Sequence, residues 1–132
     1  MHTEPADWPA PELSTTSLDA VNCYRRGIAA LVAGVAHADA LLGAALTADA
    51  DFYLAQLGLA VALAVMGAQF VPPRSVGALT RGERQHSEIV VAAFTGAEWH
   101  ADDLRREHLL EYPGDLLIVW LPSLPVWRRS NT

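Results

Sequence analysis

The chain has 132 residues, 52% of them hydrophobic, and a formal net charge of −6. This is enough apolar material for one domain with a sizeable core, and it excludes a chain that is disordered throughout. All nine basic residues are Arg and fifteen acidic residues outnumber them, which argues against a nucleic-acid binder, because phosphate contacts dominate such affinity.

Residues 1–13 hold Pro5, Pro9 and Pro11 with acidic residues between them and are expected to form a flexible arm. No positively charged region followed by an apolar run opens the chain, so no secretory signal is read there and the expected location is cytoplasmic. Ser14, Thr15, Thr16 and Ser17 are N-cap residues, with Asp19 in the first turn. The helix they open runs to Ala33, with Val21, Tyr24, Ile28 and Leu31 at helical spacing and Gly34 as its stop. Cys23 lies inside it and is the only cysteine, so there is neither a disulfide framework nor a Cys-rich metal site. A second helix is expected over 36–47, and either Asp49 or Asp51 is placed to cap the next one.

Residues 52–71 carry no charge. The stretch is long enough to span a membrane, but its Ala and Gly content and the internal Gln56 and Gln69 favour a buried helix. Membrane association is therefore ranked low. Pro72 and Pro73 should end this central helix. Thr80 and Glu83 have capping-box spacing for a fourth helix over 81–95, with Ile89, Val90, Ala93 and Phe94 inward. A fifth helix is expected over 98–111 and a last apolar one over 115–121, with an irregular tail over 122–132. Residues 14–121 then form the domain, all-α, with five to six helices packed as antiparallel pairs around the apolar central helix.

An internal similarity runs through these elements. His37-Ala38-Asp39-Ala40-Leu41 matches His100-Ala101-Asp102-Asp103-Leu104 at an offset of 63, and Leu46 then matches Leu109. Small residues at Gly34, Ala38 and Ala45 are spaced like the second half of a tetratricopeptide repeat, where they let paired helices approach closely. Four longer stretches carry a more specific likeness: Leu13–Ser17, Ala48–Phe52, Leu79–His86 and Glu111–Leu117. In this order and spacing they resemble the N-terminal part of the tetratricopeptide repeat protein 38 family. The resemblance covers residues 12–121 and implies tetratricopeptide-like helix pairs; it carries no catalytic or ligand residue to this chain. Gly82 departs from it, standing where the family tends to have a second Arg. Family members also continue for several more helix pairs beyond the point matching Thr132. A solenoid ending here would expose Leu116, Leu117, Ile118, Val119 and Trp120 without a polar cap.

The chemistry-bearing residues are few. His86 with Glu83 is the candidate acid–base pair. His86, His100 and His108, with Glu83, Asp103 or Glu107, are the residues for a metal, but they fit no ligand motif, so neither metal nor cofactor is expected. Tyr53, Gln56 and Gln69 are the polar groups of the central helix and the candidate ligand-binding set. The leading reading is a helical-repeat protein-interaction module, binding a partner or a second copy through Leu116, Leu117, Ile118, Trp120 and Trp127. The alternative is a small enzyme or small-molecule-binding protein with a pocket beside the central helix.

Overall fold

The computed structural model describes residues 9–74 and 77–124. Trp127 and most of residues 1–13 and 122–132 lie outside that range. The described residues form helices and turns with no strand, as the all-α expectation requires. They divide into two compact units: residues 13–79, and residues 80–124 together with 9–12.

The first unit begins where Ser17 accepts the amide of Ala20 and opens α1, Leu18–Ala33. The Thr15 hydroxyl donates to Asp49 Oδ2, tying the start of α1 to the end of α2. Gly34 takes φ 70° and closes α1, with the Val35 amide reaching back to Ala30 O. Helix α2, Ala38–Ala48, packs on α1 at a point where Gly27 permits close approach. A Cβ on Gly27 would stand 2.8 Å from Leu42 Cγ, and no larger residue fits without a shift. Helix α3, Tyr53–Val65, completes the unit against α1 and α2. Its Leu54, Leu57 and Val61 are buried, and the Phe52 ring at its head meets Tyr24 at 5.1 Å between centroids.

Two expectations fail in α3. The helix stops at Val65 rather than at Val71, because Gly67 adopts φ 110° and the Ala68 amide turns back to Leu63 O. Glycine ends it before either proline is reached. Neither Asp49 nor Asp51 caps it: Phe52 holds the N-cap position without a side-chain bond, while Asp49 accepts Thr15 and the Asp51 amide. The described helices include none long and apolar enough to cross a membrane.

The second unit opens with a complete capping box. The Glu83 amide donates to Thr80 Oγ1 at 3.1 Å, and the Thr80 amide to Glu83 Oε1 at 2.9 Å. Helix α4, Arg81–Phe94, then buries Ile89, Val90 and Ala93. Helix α5, Glu98–Glu111, follows after Gly96 at φ 93° and packs against α4. Helix α6, Leu116–Trp120, and a 3-10 turn over Leu121–Ser123 fold onto the pair. Arg105 fastens α6 by donating to the carbonyls of Ile118 and Val119, each at 2.8 Å. Those carbonyls belong to the last turn of a helix and have no acceptor duty within it. Residues 9–12 are held along this unit: the Gly114 amide donates to Pro9 O, and the Thr80 hydroxyl to Glu12 O.

Candidate functional site

The burial of charge in this molecule is concentrated in one place. Among the described residues, the buried polar side chains are Glu83, His86, His108 and Asp115, all in the second unit. The capping box fixes the first turn of α4 and puts Glu83 and His86, three residues apart, on the inward face with Ile89 and Val90. On α5, Ala101 and His108 point inward. Asp115 sits at the N-cap of α6, reached through the turn Tyr112-Pro113-Gly114.

These elements bring two imidazoles onto one carboxylate oxygen. His86 Nδ1 and His108 Nε2 each stand 2.8 Å from Asp115 Oδ2. A carboxylate accepts only, so both ring nitrogens donate. The other nitrogen of His108, Nδ1, lies 2.7 Å from the Gln85 amide oxygen. The Tyr112 ring covers His108 at 5.2 Å. Burial by itself would raise the Asp115 carboxyl above its usual 3.8, but the charge of His86 and the hydrogen bonds from His108 and His86 outweigh it and hold the group at about 2. It is an anion at any physiological pH. His86 Nε2 is buried and has no partner among the described residues.

A groove of about 120 Å³ runs beside this cluster between α4 and α5. Arg81, Gln85 and Glu88 line one side, and Glu107, His108 and Glu111 the other. Arg81 pairs with Glu111 at 3.2 Å across its end, both side chains largely solvated, so that pair contributes under about 1 kcal/mol.

The remaining sequence candidates fall apart. His86 meets His108 but not His100, which is exposed beside Trp99. Asp103 is also exposed. No group of three or more His, Cys, Asp or Glu among the described residues is arranged to hold a metal ion. Glu83 serves the capping box. Tyr53 donates to Pro73 O and Gln56 to Ala50 O, so both brace loops of the first unit, and Gln69 is exposed past the end of α3. Leu117 and Ile118, read as interface residues, are core residues here, while Trp120 stays 49% exposed and Leu116 is half-buried. Asp115 and Gln85 escape a reading by motif. At the 63-residue offset His86, His108 and Asp115 align with Cys23, Ala45 and Phe52. Three apolar or small seats that turn polar together were a legible signal. No protein-family model, curated protein or solved structure matches the chain.

Proposed function

We propose that the chain is a tetratricopeptide-like protein-interaction module that self-associates through exposed apolar side chains of its second unit. The observation that carries this is the outer face of α5. Trp99 is 74% exposed and Leu110 88% exposed, and eleven residues is three helical turns, so both lie along one stripe. An exposed Trp and an exposed Leu on one helix face are the contact candidates of this unit, because Trp is enriched among interface anchors. Two spacings support the repeat. The starts of α1 and α4, Leu18 and Arg81, are 63 residues apart, and so are the starts of α3 and α6, Tyr53 and Leu116. Because Leu117 and Ile118 serve the core, the stripe on α5 replaces them as the leading contact surface. Sedimentation of the purified chain at micromolar concentration tests the reading. A dimer that becomes a monomer in Trp99→Ser/Leu110→Ser, with the helical circular dichroism unchanged, is expected. A clean wild-type monomer overturns it.

One observation favours the enzyme alternative. Asp115 orients the His86 ring through Nδ1 and leaves Nε2 unpartnered, the disposition of a general base. Against it, His86 is 0% exposed and does not line the groove between α4 and α5.

A further inference from the structure

Residues 9–12 occupy a built seat on the second unit. The Gly114 amide donates to Pro9 O at 2.8 Å, and the Thr80 hydroxyl donates to Glu12 O at 2.7 Å. The capping box orients that hydroxyl: its oxygen accepts the Glu83 amide, which leaves its one proton for Glu12. Pro11 rests in a notch that a glycine keeps open. A Cβ on Gly82 would stand 2.6 Å from Pro11 Cβ and 3.1 Å from Cζ of Tyr112, whose ring walls the notch. Segment and seat are chemically matched. Pro9 and Pro11 carry no N–H, and the seat meets the segment's carbonyls with two donors. Proline also fixes φ at two of the four positions and turns Ala10, which precedes Pro11, away from helix. The segment therefore loses little freedom when it docks. An aromatic wall facing an extended proline-bearing chain is a recurring mode of peptide recognition.

This occupant is also removable. Pro9, Ala10 and Glu12 are exposed and Pro11 is half-buried, so no core side chain leaves with them. All four residues belong to the second unit, whereas the next residue, Leu13, begins the first. Every copy of the chain carries both the seat and the segment that fits it. Exchange between copies remakes each of these contacts and needs no new one, which is the condition for swapping a terminal element. We propose that the seat formed by Thr80, Gly82, Tyr112 and Gly114 takes residues 9–12 of a second copy, so that two chains exchange arms reciprocally. The chain's own arm competes at an effective concentration on the order of millimolar, and exchange rises as the protein concentration approaches that value. The inference does not rest on the α5 stripe, with which the seat shares no residue.

The test mixes ¹⁵N-labelled and ¹³C-labelled full chains at roughly millimolar concentration. A nuclear Overhauser signal from the ¹³C-bound protons of Pro11 to the ¹⁵N-bound proton of Gly82 or Gly114 arises only when an arm sits on another copy. That signal is expected, it should grow with concentration, and it should persist in Trp99→Ser/Leu110→Ser, which separates it from association through α5. A complementing pair gives a second readout. Pro11→Gly spoils the arm and keeps the seat, and its Gly114 amide should exchange about tenfold faster than in the wild type. Gly82→Ala spoils the seat and keeps the arm, so an excess of that chain should slow the Gly114 exchange of the Pro11→Gly chain again. Absence of any signal between wild-type chains, with the same contact seen inside a doubly labelled chain, overturns the proposal. A synthetic peptide of residues 9–13 that shifts the Gly114 amide while chains show no signal between them also overturns it, and gives the seat to a separate proline-bearing partner. Because the wild-type chains decide the matter, a variant that failed to fold would not remove the test.

Discussion

A single oxygen atom, Oδ2 of Asp115, accepts two imidazole N–H groups in a site closed to solvent. The consequence for stability follows from proton counting. The native carboxyl sits at about 2 against an ordinary 3.8, so between those values the unfolded chain binds more protons than the native one and stability rises with pH. The contribution is complete above about pH 4 and is lost as the pH falls toward 2, a change of roughly 2 kcal/mol measurable by urea unfolding at fixed pH values. Asp115→Asn removes the buried anion that accepts both imidazole N–H groups. It should cost about 3 kcal/mol at neutral pH and abolish this acid limb. Gly82 shows the opposite constraint, that of a missing atom. A Cβ there would lie 2.6 Å from Pro11 Cβ and 3.1 Å from Tyr112 Cζ. Gly82→Ala is expected to cost about 1–3 kcal/mol and to speed exchange of the Gly114 amide, which is held by Pro9.

At the level of elements, much of the helix pattern is readable from residue types. The Thr80 and Glu83 capping box, the Gly34 stop and the span of α5 appear where spacing puts them. The end of α3 is not legible in the sequence, because a long uncharged run reads as continuous helix, whereas Gly67 in the left-handed region breaks it whatever the polarity of its neighbours. The site was legible only in halves. His86 stood out as a titratable group on a helix face, but Asp115 follows Pro113 and Gly114 and reads as a boundary residue. No local pattern says that a loop residue will close over two helices; that is a property of the packing. Close packing between α1 and α2 gives its own prediction. Gly27→Ala drives a methyl into Leu42, 2.8 Å from its Cγ, and should lower the denaturation midpoint by the equivalent of about 1–3 kcal/mol despite its better helix propensity.

The two units fill the buried position at the head of their third helix with different chemistry. At the head of α3 the buried seat is filled by Phe52 against Tyr24; at the head of α6, 63 residues later, it is filled by Asp115 against His86 and His108. Burial of a Phe side chain is favourable at any pH, by about 2–3 kcal/mol. The ionic seat is favourable only while its proton count is right. The two units should therefore part company in acid. Below about pH 4, amide exchange in α4–α6 is expected to accelerate before that in α1–α3, by native-state exchange read residue by residue. Uniform acceleration across all six helices would contradict the assignment of the acid response to Asp115.

The bonds from Gly114 to Pro9 and from Thr80 to Glu12 have a consequence for how the chain is made. Residues 9–12 leave the ribosome ahead of the first unit, yet their partners are the head of α4, 68 residues after Glu12, and the turn before α6, 105 residues after Pro9. The first unit can close while the segment in front of it still waits. Residues 9–12 thus reach their places in the second unit only after α4 and the turn before α6 have been made, through closure of a long loop.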